Sequence, residues 1–410
     1  MKLTKISLAA LVALGAFSSV ASATPLEEAI KNVDLSGFAR YRYTHTHEYD
    51  KQQENVKKAN DAKHNFKMIT NFKAAIDDNF FGVVGLRYNA NDGSGDNAGT
   101  ANTDGTDKTN TTDPFRVYQF YLGYKVGATT ITAGKQVIGS YFTDDAVGTG
   151  VRVVNEDIEG LTLTALAFDA LEGSGESDGD LYDASVTSQL NNYDVGNLYA
   201  AGIAGAYDPI NFQLWYASLT NLADLLAADV SANFAITDDV SLGARLNYVN
   251  STADASAKSK LGYNDGNFYA GELSTSLFGF DLAGGYIGWK SQDKGISAFS
   301  FEDQGSLIDA GEDVFDWTHA EGKGNFFYAT SAYAFDKFTV GLDYVKGNIK
   351  TAGANNQDVK EKIEEFVPRF AYQYSKKLKF SSFYSFQTHK FANDVKAKED
   401  KFRFEAKYSF

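Results

Sequence analysis

From residue 33 onward, apolar and polar side chains alternate one for one in runs of about ten residues, separated in turn by tight turns and longer polar loops. The last run shows it best. Phe402, Phe404, Ala406, Tyr408 and Phe410 occupy every second position, and Lys401, Arg403, Glu405, Lys407 and Ser409 fill the others. Likewise Phe366, Pro368, Phe370, Tyr372 and Tyr374 alternate with Val367, Arg369, Ala371 and Gln373, and Val240, Leu242, Ala244, Leu246 and Tyr248 with Ser241, Gly243, Arg245 and Asn247. Successive side chains of a strand point to opposite faces, so each run predicts a strand with one greasy and one polar face.

The connections predict how the strands are joined. Short turns fall near 76–79, 127, 156–159, 208–210, 237–239, 278–279, 336–337 and 375–377. Longer loops rich in Gly, Asn and Asp run roughly over 47–64, 91–114, 137–149, 170–195, 220–228, 250–267, 290–324, 347–365 and 389–400. Eight turns and nine loops join 18 strands, an even number that brings both chain ends to the short-turn side. In hydrocarbon an open sheet edge would leave backbone N–H and C=O groups unpaired, so the expectation is an all-β fold, a closed transmembrane antiparallel β-barrel. Tyr41, Tyr43, Tyr118, Phe120 and Tyr124 crowd the ends of apolar faces, as interfacial girdles do. A soluble sandwich or propeller also alternates. Against it stand the recurrent charge on the polar face, the short-long rhythm of connections, and the terminal Phe410, which resembles the assembly signal of outer-membrane barrels.

Composition narrows the chemistry. Among 410 residues there is no cysteine, which excludes disulfide scaffolds, thiolate metal sites and cysteine nucleophiles together. A formal charge of -15 with scattered Lys and Arg argues against nucleic-acid binding. At the start, Lys2 and Lys5 precede a mostly apolar stretch from Ile6 to Val20 and the small residues Ala21, Ser22 and Ala23, the layout of a secretory signal cleaved after Ala23. Residues 24–410 then form one domain of formal charge -17, since the leader carries two lysines and no acid. No later segment has the roughly 18 consecutive apolar residues of a membrane helix.

Several motifs in order along the chain resemble one family. Thr24-Pro25-Leu26-Glu27-Glu28-Ala29-Ile30-Lys31, Gly134-Lys135-Gln136, Val147-Gly148-Thr149-Gly150-Val151 and Glu302-Asp303-Gln304-Gly305 look like the major outer membrane porins of campylobacters. Ile158 to Leu163, Val195 to Tyr199 and Phe383-Tyr384-Ser385 extend the likeness over the whole chain. The resemblance implies an 18-stranded diffusion porin of the outer membrane, a homotrimer among lipid and lipopolysaccharide, passing ions and small hydrophilic solutes.

If the apolar face meets lipid, the polar face lines a lumen, where Arg40, Arg42, Arg87, Lys125, Arg152, Arg245, Arg369 and Arg403 recur as a basic ladder. The segment Ser140 to Asp145, within the 137–149 loop, would set Asp144 and Asp145 against that wall if it folds inward, as the constriction loop of porins does; charged rings select ions. An ordinary outer loop with solvated aspartates is the alternative. Net charge favours cations at the mouths while the arginines favour anions, and the balance leans to mild cation selectivity. Asp92 with Asp96, Asp178 with Asp180, and Glu302 with Asp303 offer oxygens suited to Ca²⁺, and Asp144, Glu302 and Asp303 are the first candidates, although none forms a complete EF-hand. The five histidines lack metal-ligand spacing, and no catalytic motif stands in a suitable context, so the reading is not an enzyme. The competing reading is an adhesin acting through long acidic loops at 91–114, 170–195 and 290–324.

Overall fold

The computed structural model describes residues 33–50, 59–94, 109, 111–172, 193, 195–237, 239–302, 304–353, 358–391 and 396–410. The leader through Ala23 and Asp303 lie outside them, as do Asp96, Asp178 and Asp180. Eighteen antiparallel strands form a single sheet. In chain order they are β1 (Val33–Asp50), β2 (Ala59–Ala75), β3 (Phe80–Ser94), β4 (Arg116–Val126), β5 (Thr129–Val137), β6 (Val147–Asn155), β7 (Leu161–Leu171), β8 (Leu198–Tyr207), β9 (Ile210–Leu219), β10 (Ala223–Thr237), β11 (Val240–Ala253), β12 (Gly266–Leu277) and β13 (Phe280–Ser291). After a two-residue ladder of β14 (Ile296–Ser297) with β15 (Ala320–Glu321) follow β16 (Lys323–Phe335), β17 (Phe338–Ala352), β18 (Asp358–Ser375), β19 (Leu378–Lys390) and β20 (Lys396–Ser409). Strand β20 pairs with β1 from Phe38↔Ser409 to Asp50↔Ala397, which closes the barrel. The Phe410 backbone seals the seam, its N–H donating to Gly37 O at 3.0 Å and its carbonyl accepting from Gly37 N–H at 3.1 Å.

Closure leaves no unpaired edge, and the alternation then sorts every strand into an outer and an inner row. Outward positions are apolar and bare: Phe120 is 65% exposed, Leu246 65%, Leu273 71% and Phe327 66%. A face so uncovered by protein belongs against lipid. At its short-turn margin an aromatic row runs from Phe280 through Tyr333, Phe335, Phe338, Tyr372 and Phe380 to Phe404, with neighbouring centroids 4.3–6.4 Å apart. Tyr118 departs from the expected girdle: it is buried, and its hydroxyl donates to Asn71 Oδ1 at 2.7 Å beside a register shift in the β3–β4 pairing.

Several loops differ from expectation, among them 347–365, most of which is strand because β17 runs to Ala352 and β18 begins at Asp358. The 220–228 loop is only a three-residue turn, because Ala223, Leu225 and Ala227 are inward strand positions with an apolar core to fill. The 250–267 loop carries one short helix, α1 (Ala255–Leu261), capped by the Asp254 side chain.

The apolar core lies inside the barrel. Phe168, Leu198, Trp215, Leu225, Val249, Phe268, Ile287, Trp289 and Phe326 line the inner wall of β7–β13 and β16, and all join one buried cluster. What covers them is the connection between β13 and β16, which had read as an outer acidic loop. Phe299, Phe301 and Trp317 are fully buried there, with Trp317 edge-on to Phe268 at 4.7 Å and to Trp289 at 5.4 Å. Each such side chain contributes roughly 1.5–3 kcal/mol by leaving water, which favours the packed position of the loop in the lumen.

Candidate functional site

Two loops meet within the lumen. The β5–β6 connection, residues 138–146, puts Tyr141 and Phe142 into the apolar core, and its backbone docks on the β13–β16 connection. Phe301 N–H donates to Phe142 O at 2.9 Å and Ser306 N–H to Tyr141 O at 2.9 Å. Gly305 sits at φ 53, and a Cβ there would stand 2.6 Å from Tyr141 O, so only glycine permits this approach. Glu302 Oε2 accepts from Asp144 N–H at 3.0 Å and Ala146 N–H at 2.7 Å, bracing the turn that carries the two aspartates.

The far edges of both loops face a charged wall. Lys67 Nζ lies 3.1 Å from Asp145 Oδ2. Arg369 pairs with Asp343 at 2.6 Å and with Glu312, and donates to Gly311 O at 2.9 Å. Arg403 reaches Glu312 at 3.6 Å, and Lys401 reaches Asp313 at 2.5 Å. Both guanidiniums stand over the Phe383 ring, at 5.6 Å for Arg369 and 5.0 Å for Arg403, which fixes their planes. Arg42 pairs with Glu405 at 2.8 Å, and Arg40 donates to Asn65 Oδ1 at 3.1 Å with Glu405 3.9 Å away.

Of the expected ladder, then, Arg40, Arg42, Arg369 and Arg403 share one stretch of wall, and the 138–146 loop meets that wall through Lys67. Arg245 and Arg152 instead support the loops. Arg245 pairs with Asp229 at 2.7 Å and donates to Ser306 O at 2.6 Å, while Arg152 lies against Gly139. Arg87 forms an ion pair with Glu172 beside the β6 entrance. Lys67, Asp309, Glu312, Asp313, Asp343, Lys401 and Glu405 were not singled out from sequence. For the loop acids a signal existed: Phe299, Phe301, Phe315 and Trp317 within 290–324 are too apolar for a solvated loop.

Burial marks two of the loop acids. The Glu302 carboxyl is pushed up to about 8 by desolvation, with Asp145 and Asp144 adding to the rise, and Asp309 is pushed up to about 7 by desolvation near Glu312 and Glu365. Asp144 is raised as well, chiefly by burial and then by Asp145. Among the described residues no three His, Asp or Glu side chains form a metal cage. Below the loops, toward the short turns, the lumen opens into a chamber of about 690 Å³ lined by Ser241, Ser274, Thr330, Thr339, Ser381 and Ser382 with Arg42, Arg369 and Arg403 in its roof.

A closed 18-stranded barrel, apolar outside and narrowed inside by two folded loops, is the form of a water-filled membrane channel. The model of the Campylobacter major outer membrane protein family matches residues 1–410. The chain belongs to that family. It is an outer-membrane porin, a channel that passes ions and small solutes. A search of curated proteins finds no match. Solved structures agree in fold: OccK9 (OpdG) of Pseudomonas aeruginosa at TM-score 0.71 and 15% identity over 92% of this chain and 99% of that one, OccAB3 of Acinetobacter baumannii at 0.67 and 13% over 92% and 100%, and a BenF-like porin of Pseudomonas fluorescens at 0.65 and 17% over 92% and 99%.

Proposed function

We propose that this porin is mildly cation-selective, with its constriction between the loop acids Asp144, Asp145, Glu312 and Asp313 and the wall residues Arg40, Arg42, Lys67, Arg369, Lys401 and Arg403. The observation that carries the reading is pairing. Arg42, Arg87, Arg245, Arg369 and Arg403 each face a carboxylate within the barrel, so the basic ladder attracts anions far less than its count implies. The net negative charge, -17 for residues 24–410, then sets the potential at the mouths, and it draws cations. The test is single-channel recording in planar bilayers under a KCl gradient. Steps that scale with salt and a reversal potential of cation sign are expected; an anion sign overturns the proposal. Asp144→Asn with Asp145→Asn should lower the cation preference, and an unchanged reversal potential removes these acids from the constriction.

Calcium is a second proposal, supported by the Asp144 and Glu302 acids meeting on one turn, where a divalent ion would draw its remaining ligands from backbone carbonyls and water. Titrating CaCl₂ into the folded protein should give a binding heat that Asp144→Asn abolishes. No heat, with no chelator effect on conductance, rejects it.

Trimerisation and contact with lipopolysaccharide complete the reading. Strands β4–β9 have only 9–11 residues, against 12–18 elsewhere, which makes one low side of the barrel. Its outer face exposes the small residues Ala133, Ala165, Ala167 and Ala201, which admit close approach of a second wall. Ala167→Arg should dissociate the trimer on a native gel; a monomeric wild type refutes the assembly.

A further inference from the structure

On the opposite side of the barrel, the outward face carries an unusual charge pattern at the long-loop end. Lys290 of β13 lies directly opposite Lys323 of β16, Lys323 opposite Lys350 of β17, and Lys350 opposite Lys360 of β18. Two residues along β18, Lys362 stands opposite Lys390 of β19, and Lys390 opposite Lys396 of β20, with Lys398 two positions further. One row of lysines thus crosses six neighbouring strands. It points outward, because it shares parity with the exposed residues Leu282, Phe327, Val340, Phe366, Phe386 and, on β20, with Phe402 and Phe404.

Like charges placed directly across an antiparallel pair repel, and here five such pairs follow one another. On this stretch of the outward face Asp358 pairs with Lys294 and Glu364 with Lys346, so acids offset part of the row, and the remaining excess of lysine suits an anion that spans several strands. Below the row the surface changes to aromatic. Tyr286 and Phe386 sit four positions down from Lys290 and Lys390 on the same face, and Tyr344 and Phe366 face each other six positions below Lys350 and Lys360. Tyr286 packs on Phe327 at 5.0 Å, and Phe366 on Phe386 at 6.4 Å. Cations stacked above an aromatic, lipid-facing belt match an amphiphile whose phosphates lie at the surface and whose acyl chains lie below.

We infer that the outer face of β13 and β16–β20 is a binding site for a phosphorylated glycolipid of the outer leaflet, with Lys290, Lys323, Lys350, Lys360, Lys362, Lys390 and Lys396 holding its phosphates. This deepens the lipopolysaccharide contact proposed above by assigning it residues, and it rests on the outer-membrane location. The outward long-loop ends of β8–β12 carry Tyr199, Tyr216, Leu226, Tyr248 and Asn267 instead, so the site belongs to one side of the barrel and leaves the low wall of β4–β9 free for a second copy.

The probe is bisphosphorylated lipid A, titrated against the folded full-length protein in detergent and read by native mass spectrometry. The variant combines Lys290→Gln, Lys323→Gln, Lys350→Gln, Lys360→Gln and Lys396→Gln. Its control carries Lys337→Gln, Lys376→Gln and Lys377→Gln at the short turns. We expect at least a tenfold loss of affinity in the first and none in the second, with single-channel conductance unchanged in both. Equal binding by variant and wild type overturns the site. If the variant does not fold, as the loss of its gel shift on heating would show, wild type is compared on dephosphorylated lipid A and on phosphatidylglycerol. Equal affinity for the dephosphorylated form, or for phosphatidylglycerol, also overturns it. Conductance separates this failure from failure of the porin assignment, since an open channel persists without the lipid site.

Discussion

Two halves of one lumen, built by the same alternation, hold opposite chemistry. Along β7–β13 and β16 the inward positions toward the long-loop end are Phe168, Leu198, Leu225, Phe268, Ile287 and Phe326, and the folded loops cover them completely. Along β17–β20, β1 and β2 the inward positions include Asp343, Arg369, Arg403, Glu405, Arg42 and Lys67, and all but Lys67 line the open chamber beneath the loops. The difference teaches that an inward-facing row in a membrane barrel is a choice between core and channel. Apolar rows draw the loops across by burial, and charged rows repel the same apolar loop surfaces, so the channel is displaced to one side.

The largest expected effect breaks the apolar half. Trp317→Ala removes a fully buried ring that packs on Phe268, Trp289 and Phe315, and such truncations cost about 3–5 kcal/mol. The strand ladder does not involve Trp317, so the barrel should still show its heat-modifiable form while the β13–β16 loop loosens. Single-channel conductance is expected to rise and step amplitudes to broaden. Unchanged steps would mean that the loop is held by the charged edge alone.

Next comes the charged half. Glu312→Gln leaves both Arg369 and Arg403 without their shared loop carboxylate, so the reversal potential should move toward anions further than for any other single substitution there. Arg403→Gln should move it the opposite way. Shifts of equal sign in the two variants would show that pairing does not govern permeation.

A pH series sharpens the comparison by changing charge at the boundary of the halves. Glu302, at about 8, and Asp309, at about 7, are both protonated at pH 6 and both ionised at pH 9. Cation preference should therefore grow from pH 6 to pH 9. The sign for stability is opposite: an acid whose folded value is raised favours the packed loops at low pH, and that contribution is lost as pH rises through about 8. Glu302→Gln should flatten the upper part of the selectivity curve. A profile that is flat from pH 6 to pH 9 in the wild type contradicts this account.

How much of this was readable from the residues follows from range. The period of two is local, so Phe402 to Phe410 and Val240 to Tyr248 gave strands and faces directly, and the turn rhythm gave eighteen of them. Arg369 and Arg403 were placed on the inner face for the same reason. Their partners were not, because Glu312 lies 57 residues before Arg369 and its position depends on where Trp317 and Phe301 find apolar wall. Alternation shows that a row faces inward, but contact between a loop and a distant strand depends on three-dimensional packing. The segment Ser140 to Asp145 was expected to set its acids against basic wall residues, with arginines named as the wall; in the structure Lys67 receives Asp145.

That last pair carries the smallest expected effect. Lys67 is nearly buried while the Asp145 side chain is 44% exposed, so solvent screens the pair and its contribution lies near 0–1 kcal/mol. Lys67→Gln should therefore leave folding and conductance intact, and should raise cation preference slightly by uncovering Asp145. The double variant with Asp145→Asn returns the charge balance of the wild type and should return its reversal potential. If Lys67→Gln alone shifts selectivity as strongly as Glu312→Gln, the narrowest point lies at the tip of the 138–146 loop, and the β13–β16 loop serves mainly to hold that tip against the wall.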